Sequence, residues 1–265
     1  MNDSPITVLF LDADNTLWDT DGVYEEAQLA LLTSLEEHLN VRLHDLDRLG
    51  FVRSIDQALA ERHHKGLRYP PRFLVKALAL ALTGTNTMEA VRLAWSGGYE
   101  SDRLTEEAAS LIEKEMTDSL RRSPELRSGV RTGLSQLSGM RFPKVVLTEN
   151  KLDRVLSLIQ SHELEIYFDR VLEIRKDQHA YRRLLRLFHP LHPGFMIGDQ
   201  LERDIRPAKA AGLHTIFYPS NFRPKWEHQH DHVVPDFQVK SFDEVPAIVE
   251  DVLEHAGWRM DRSFT

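Results

Sequence analysis

The stretch that decides the fold is "ITVLFLDADNTLWDTDG" (residues 6–22), in which an apolar run stops at Asp12. Further acidic side chains follow at Asp14, Asp19 and Asp21. Carboxylates this close together repel one another unless a positive group lies between them. The stretch therefore predicts a buried strand that ends at a site where a positive group lies between the carboxylates.

Five short apolar runs predict the strands of one parallel sheet. A continuous apolar run is typical of a strand that is buried on both faces. Apolar residues at helical spacing separate the later runs, and such an alternation of strand and helix indicates an open α/β sheet. The five runs cover residues 6–12, 144–148, 170–174, 194–199 and 214–219.

The segment 21–121 differs from the rest of the chain because its pattern is almost entirely helical. Its apolar residues recur at spacings of three and four, as on one face of a helix. The run "FLVKALALAL" (73–82) is rich in Ala and Leu, which favour a helix over a strand. The sequence thus predicts an all-helical cap domain at 21–121, inserted into an α/β core domain made of residues 1–20 and 122–265.

The composition limits the class of function. With 41 acidic and 33 basic residues, the net charge of -8 argues against binding of nucleic acid polymers, whereas a few local cations are enough to hold a small phosphorylated ligand. No apolar run approaches the roughly 20 residues that span a bilayer, so no membrane association is expected. The sequence begins with no charged-then-apolar leader and contains no cysteine, and a cytoplasmic location is therefore the expectation.

Polar side chains stand at or just after the carboxyl ends of four predicted strands. In an open parallel sheet, ligands bind outside these ends. Carboxylates from two strand ends suit magnesium, which is bound through oxygen and also binds phosphate. An aspartate can attack phosphorus, a second can transfer protons, and a hydroxyl and an ammonium can hold the phosphoryl oxygens. The residues concerned are Asp12, Asp14, Thr148, Lys176, Asp199 and Asp204.

These motifs resemble those of the haloacid dehalogenase-like hydrolase superfamily. The matching stretches are "DADNT" (12–16), "VVLT" (145–148), "IRKDQHAYRRLL" (174–185) and "GDQLERD" (198–204). They cover both α/β parts of the chain, and a helical cap inserted after the first motif is also a feature of the family. The resemblance implies a three-layer, Rossmann-like, doubly wound parallel sheet with the first strand near its centre.

The resemblance also implies a magnesium-dependent phosphatase that forms an aspartyl-phosphate. Asp12 would be the nucleophile and Asp14 the general acid and base. Magnesium would be held by Asp12, the backbone carbonyl of Asp14, Asp199 and, directly or through water, Asp204. The catalytic group would include Thr148 and Lys176. The positions implied for phosphate binding are Thr16, Thr148, Glu149, Asn150 and Lys176.

Two positions depart from the family pattern. Glu149 follows Thr148 where many relatives have a small residue or Asn, which brings negative charge close to the phosphate site unless the side chain turns away. Asp177 follows Lys176 where proline is common, so Lys151 is a rival for the cationic role. The place of Lys176 after the third strand favours Lys176.

Other features leave alternatives open. Trp18 could face the substrate or pack in the core. Three histidines, His228, His230 and His232, could bind zinc or nickel if they lay on a strand, but the prolines that flank them favour a polar loop.

The leading hypothesis for the function is hydrolysis of a small phosphorylated metabolite. Asp14 favours phosphoryl transfer over dehalogenation, because dehalogenating relatives usually lack an aspartate there. The alternatives are a phosphomutase of the same fold and a non-catalytic regulatory protein that binds a phosphorylated ligand. The sequence predicts neither the individual substrate nor the oligomeric state.

Overall fold

The chain forms two compact units. A computed structural model describes residues 6–44, 46–61, 69–97, 103–223 and 232–257. One unit consists of Met1–Asp21 and Ser123–Thr265, and the other of Gly22–Arg122. None of the described helices combines the length and the apolar composition that crossing a bilayer requires.

The first unit is built on a six-stranded sheet in which every neighbouring pair of strands is parallel. Its strands are β1 (Leu9–Asp12), β2 (Lys144–Thr148), β3 (Arg170–Glu173), β4 (Phe195–Gly198), β5 (His214–Phe217) and β6 (Phe237–Gln238). Their order across the sheet is β3-β2-β1-β4-β5-β6. The expected central place of the first strand is confirmed, and Asp12 ends β1 at the point where the strand order reverses.

The described α-helices alternate with the later strands and fill the second unit. They are α1 (Thr20–Leu39), α2 (Arg48–Glu61), α3 (Pro71–Leu82), α4 (Thr87–Ser96), α5 (Glu106–Ser119), α6 (Val130–Ser138), α7 (Leu152–Ser161), α8 (Gln178–Phe188), α9 (Arg206–Ala210) and α10 (Val245–His255). Short 3₁₀ turns lie at Glu165–Tyr167 and Phe242–Glu244, and a π-helical turn lies at Leu201–Ile205.

Helices cover both faces of the sheet. Successive side chains of a strand point to opposite faces. Accordingly, Leu9 and Leu11 pack in one cluster with α6, α7 and α10, while Val8 and Phe10 pack in another with α8 and α9. The predicted three-layer, doubly wound α/β fold is therefore confirmed.

Three details differ from the expectations. The third strand was expected to be buried on both faces, but β3 forms one edge of the sheet, and Arg170 and Glu173 at its two ends are exposed. The first strand begins at Leu9 and not at Ile6. A sixth strand, β6, pairs with β5 at the other edge. Its two residues are too few to form an apolar run, which is why the pattern did not predict it.

The helix expected from about Leu201 to Ala211 is in fact a π-helical turn followed by α9. Pro207 lies in the first turn of α9 and has no N–H with which to continue a regular ladder from the residues before it. The predicted left-handed stop at Gly212 is confirmed, with φ at +91°. The change of helix type falls beside the carboxyl end of β4, where the candidate site lies.

The regular elements described in the second unit are all α-helices. Its core is formed by apolar side chains from α1 to α5, among them Leu32 and Leu35 of α1, Ile55 of α2 and Leu78 of α3. The run "FLVKALALAL" lies in α3, as its helix-favouring composition predicts.

Candidate active site

Three buried carboxylates converge at the carboxyl edge of the sheet. Asp12 ends β1, Asp199 follows β4, and Asp204 lies in the π-helical turn. One ligand oxygen of each residue lies within 4.8 Å of the others. Because β1 and β4 are adjacent and in parallel register, their carboxyl ends lie side by side. The structure thus brings together three of the predicted metal ligands.

Lys176 supplies a positive charge between two of these carboxylates. It follows β3, and its buried ammonium donates to Oδ1 of Asp12 and, at 2.7 Å, to Oδ1 of Asp204. Lys151, the rival cation, is exposed at the start of α7. Of the two lysines, the structure therefore brings Lys176 to Asp12.

One ammonium does not balance three buried carboxylates. Burial raises the pKa of Asp12 to about 7, although Lys176 acts in the opposite direction. Burial and the charges of Asp12 and Asp204 also raise the pKa of Asp199 well above its ordinary range. Burial opposes the charge of Lys176, yet the two neighbouring aspartates raise its pKa well above the ordinary value. The cluster is therefore short of positive charge.

The donor set fits a hard divalent cation. Oδ1 of Asp199 is buried and has no hydrogen-bond partner among the residues that the structure describes. Buried polar atoms normally have one, and an oxygen left in this way can be satisfied by an ion. Carboxylate oxygens are the ligands that magnesium prefers. The residues present therefore fit a magnesium site at Asp12, Asp199 and Asp204.

Gly198 and the π-helical turn determine the position of Asp204. A Cβ at Gly198 would lie 2.3 Å from Cγ of Asp204, so only glycine lets this carboxylate approach the end of β4. The N–H of Asp204 donates to the carbonyl of Gln200 at 2.9 Å, and Oδ2 of Asp204 accepts from the N–H of Gln200 at 3.0 Å. Turns of this type often occur at functional sites.

Asp14 is half-buried, and three donors hold its carboxylate. Oδ1 accepts from the indole N–H of Trp18 at 3.0 Å and from the hydroxyl of Thr20 at 2.8 Å. Oδ2 accepts from the side-chain amide of Asn150 at 3.2 Å. Trp18 is fully buried and stacks on His162, with 6.3 Å between ring centroids. Of the two alternatives for Trp18, the structure therefore supports core packing.

The two threonines have different surroundings. The hydroxyl of Thr16 is buried and donates to Oδ2 of Asp12 at 3.1 Å, so it contacts the predicted nucleophile itself. Thr148 ends β2, next to Asp12 across the sheet, and its hydroxyl accepts from the backbone N–H of Asn150 at 3.0 Å. Thr148 can therefore still donate its own proton.

Both carboxylate oxygens of Glu149 are engaged by neighbouring loops. Oε1 accepts from the backbone N–H of Lys176 at 3.0 Å, and Oε2 forms an ion pair with Arg203. The side chain thus turns towards the loop after β3 and the π-helical turn. Asp177, the other departure, caps the start of α8, where its side chain accepts from the N–H of Ala180 at 2.9 Å.

The sequence analysis missed three residues that shape this site. Gly198 could have been found, because it directly precedes Asp199 in "GFMIGD". Arg203 could not, since its partner is 54 positions away. Arg127 donates to the carbonyls of Asn15, Tyr218 and Pro219, and thereby holds the loop after β1, where Asn15 has φ of +56°. No sequence pattern indicates contacts with such distant carbonyls.

Most of the histidine-rich segment lies outside the residues that the structure describes. His228 and His230 lie outside the described residues, and only His232 of the three lies within them. The choice between a polar loop and a metal site at these residues stays a prediction.

Comparisons with known proteins support the resemblance that the motifs carry. A family model described as HAD-hydrolase-like matches residues 175–245, which include Lys176, Asp199 and Asp204. Comparison of the sequence with curated proteins finds no match.

Solved structures match nearly the whole chain. A haloacid dehalogenase-like family hydrolase from Xanthomonas campestris is 20% identical, with a TM-score of 0.62 over 96% of this chain and 99% of that one. A HAD-hydrolase from Bacillus subtilis, bound to magnesium, is 18% identical, with a TM-score of 0.57 over 92% and 99%. A protein described as a beta-phosphoglucomutase, from Thermotoga maritima, is 16% identical, with a TM-score of 0.58 over 93% and 99%.

The resemblance to the haloacid dehalogenase-like superfamily is thus confirmed by the family model and by the fold. The chain has the fold of the hydrolases, phosphatases and mutases of this superfamily, with a buried aspartate cluster at its carboxyl edge. Chains named for phosphatase and for dehalogenase activity are both among the matches, so the fold alone does not choose between these reactions.

Proposed function

We propose that this protein is a magnesium-dependent phosphatase that hydrolyses a small phosphomonoester through an aspartyl-phosphate on Asp12. The observation that carries the proposal is the convergence of three buried carboxylates, those of Asp12, Asp199 and Asp204, two of which pair with the buried ammonium of Lys176. An excess of buried negative charge is costly to a fold unless a ligand compensates it. A cation together with a phosphorylated substrate is the ligand pair that this chemistry suits.

Asp12, Asp199 and Asp204, with the backbone carbonyl of Asp14, would hold the magnesium ion. When bound, the ion would neutralise these carboxylates and offset the negative charge of the phosphoryl oxygens. The buried oxygen of Asp199 that lacks a described partner supports this assignment.

In the first half of the proposed reaction, a carboxylate oxygen of Asp12 attacks phosphorus. A new O–P bond forms as the bond from phosphorus to the leaving oxygen breaks, and Asp14 gives that oxygen a proton. Thr16 and Lys176 each contact one oxygen of Asp12, so the carboxylate is held at both ends while it attacks. Thr148, Asn150 and the ammonium of Lys176 are the proposed donors to the phosphoryl oxygens.

In the second half, Asp14 removes a proton from a water molecule, which attacks the phosphorus of the aspartyl-phosphate. The bond between phosphorus and Asp12 breaks, inorganic phosphate leaves and the free carboxylate returns. The three donors on Asp14 keep its carboxylate in one orientation for both steps. A halide leaving group needs no proton, so an aspartate held in this way favours phosphate ester cleavage over dehalogenation.

The test is release of phosphate from a generic aryl phosphate and a panel of phosphorylated metabolites, with and without magnesium. We expect turnover that requires magnesium and that falls at least about a thousandfold in Asp12→Asn, because the nucleophile is lost. Asp153→Asn, which changes an exposed aspartate of α7, is the matched control and should turn over like the parent protein. Absence of turnover on every substrate, or equal rates in the parent and Asp12→Asn, would contradict the proposal.

A phosphomutase is the second candidate, favoured by the structural likeness to a protein described as a beta-phosphoglucomutase. A mutase returns the phosphoryl group to a sugar, so it uses the same nucleophile and acid. Product analysis with a sugar phosphate separates the two reactions: an isomer with little free phosphate indicates the mutase, and free phosphate indicates the phosphatase. A non-catalytic binding protein would instead leave the ligand intact after long incubation.

A further inference from the structure

Glu149 brings a negative charge beside a site that is proposed to bind phosphate. Left free, its carboxylate would repel the substrate and weaken binding. In the structure this carboxylate is not free, because Oε1 accepts from the backbone N–H of Lys176 and Oε2 pairs with Arg203. Both oxygens are therefore engaged by protein groups on two other loops.

These contacts close a ring through the site. Lys176 is joined to Glu149 by its backbone N–H and to Asp204 by its ammonium. Arg203, which pairs with Glu149, directly precedes Asp204 in the π-helical turn. The side chain of Glu149 thus connects the loop that carries Lys176 with the turn that carries Asp204.

We propose that Glu149 is a positioning residue that fixes Lys176 against Asp12 and Asp204, an inference that rests on the proposed phosphatase function. A hydrogen bond from a backbone N–H to a carboxylate is charge-assisted and stronger than one between neutral groups. The ion pair with Arg203 is partly exposed, and such a pair contributes little by itself. Its contribution here is to hold the carboxylate of Glu149 in the orientation that accepts the N–H of Lys176.

The positioning role and simple repulsion predict opposite results for the same substitution. If Glu149 merely repelled phosphate, its removal would lower KM and leave kcat unchanged or higher. If Glu149 positions Lys176, its removal lowers kcat, because a small displacement of a group that holds the reacting atoms slows the chemical step strongly. KM then changes little, since the remaining donors to phosphate stay in place.

The experiment compares Glu149→Ala, Glu149→Gln and Arg203→Met with the parent protein. Glu149→Gln keeps an acceptor for the N–H of Lys176, whereas Glu149→Ala removes it. Asp118→Ala is the matched control, because it removes another exposed acidic side chain that pairs with an arginine, here Arg121. We expect kcat to fall about tenfold in Glu149→Ala and less than about threefold in Glu149→Gln. Arg203→Met should fall between them, and Asp118→Ala should equal the parent.

Amide hydrogen exchange at Lys176 gives a second measurement that does not depend on turnover. We expect faster exchange in Glu149→Ala and nearly parental exchange in Glu149→Gln. If the parent protein hydrolyses no phosphate ester, the proposed function fails, while hydrogen exchange still tests the contact. Equal exchange in all variants, a lower KM with undiminished kcat in Glu149→Ala, or equal loss of kcat in Glu149→Ala and Glu149→Gln would overturn the positioning role.

Discussion

Each of the two units of the molecule contains a buried charge cluster, and the two clusters are built differently. In the helical unit, the carboxylate of Glu36 is buried among donors. It accepts two hydrogen bonds of 2.8 Å from Arg48 and one of 2.8 Å from the N–H of Leu43, and it pairs with Arg42 at 3.3 Å. The hydrogen bonds from Arg48, opposed by burial, lower the pKa of Glu36 to about 2.

In the α/β unit, by contrast, the buried carboxylates outnumber the positive groups that contact them. Three buried carboxylates lie together, and the ammonium of Lys176 contacts two of them. Burial raises the pKa of Asp12 to about 7, and one oxygen of Asp199 has no partner among the described residues. The difference shows how a structural charge is distinguished from a functional one. A cluster whose donors match its acceptors stabilises the fold. A cluster of buried carboxylates with too little positive charge lowers the free energy of unfolding, and it is suited to binding a positively charged ligand.

Among the variants that test the contrast between the two clusters, the largest effect is expected from Lys176→Met, which removes the ammonium from the α/β cluster. Turnover should fall about a hundred- to thousandfold, as when one donor to a developing charge is lost. Breaking a buried pair costs about 3–5 kcal/mol, so the unfolding temperature measured without divalent cations should also fall. Magnesium should raise that temperature more in the variant than in the parent, because the ion then becomes the main compensation for the carboxylates.

Lys151→Met is the matched control for Lys176→Met, because Lys151 is exposed at the start of α7. We expect parental turnover and a parental response of the unfolding temperature to magnesium. If Lys151→Met lost activity while Lys176→Met kept it, the assignment of the phosphate-binding lysine would be wrong. A magnesium response that is smaller in Lys176→Met than in the parent would argue against a cation site among the three aspartates.

A smaller effect is expected from Gly198→Ala, which leaves every charge of the cluster in place. The new methyl group would meet Cγ of Asp204 at 2.3 Å, so Asp204 must move away from the end of β4. A displacement of about 1 Å costs on the order of a hundredfold in rate, and we expect kcat to fall by that factor. Overpacking of this kind also costs about 1–3 kcal/mol in the free energy of unfolding.

Gly194→Ala provides the comparison for Gly198→Ala. Its Cβ would meet the side chain of Val8 at 2.8 Å, at the start of β4 and away from the carboxyl edge. We expect it to lower the free energy of unfolding and to leave kcat of the folded protein unchanged. Equal kcat in both variants would show that the position of Asp204 does not depend on Gly198.

Much of the fold could be predicted because short, local patterns determine it. Apolar runs mark the strands from β1 to β5, and the residue types at their carboxyl ends indicate one polar edge. The edge position of β3 and the two-residue β6 could not be derived, because edge strands differ from central ones in what pairs with them and hardly in their own residues. The π-helical turn likewise depends on backbone hydrogen bonds: the N–H groups of Asp204 and Ile205 both donate to the carbonyl of Gln200, and Pro207 has no N–H to donate. The apolar spacing of residues 201–211 does not predict these bonds.

For the candidate site too, residues whose place follows from local sequence position could be predicted, and residues that depend on distant contacts could not. Asp12, Asp199, Asp204 and Lys176 could be proposed from their positions at strand ends, because a parallel sheet brings those ends together. The direction of the Glu149 side chain could not be proposed, since it depends on Arg203, 54 positions away. Trp18 illustrates the same limit, because only the fold shows that its indole reaches Asp14 and His162.

The smallest effect is expected from Glu36→Gln, which tests the matched cluster of the helical unit. The glutamine loses the charge that Arg48 and Arg42 pair with and turns an NH₂ group towards guanidinium donors, so the free energy of unfolding at pH 7 should fall by about 2 kcal/mol. The sign of the pH dependence follows from the pKa, which lies near 2 in the folded chain and near 4.5 when unperturbed. The ionised carboxylate therefore stabilises the fold above pH 4.5, and its contribution is lost as the pH falls towards 2.

Urea unfolding of the parent protein and Glu36→Gln measures this contribution. The difference between their free energies of unfolding should be constant at neutral pH and should narrow below about pH 4.5. Turnover of the folded variant should be parental, because none of the groups that bond to Glu36 belongs to the proposed site. If this difference in the free energy of unfolding did not depend on pH, or were absent, the charge of Glu36 would not be what its pairing with the arginines depends on. The contrast between the two clusters would then fail.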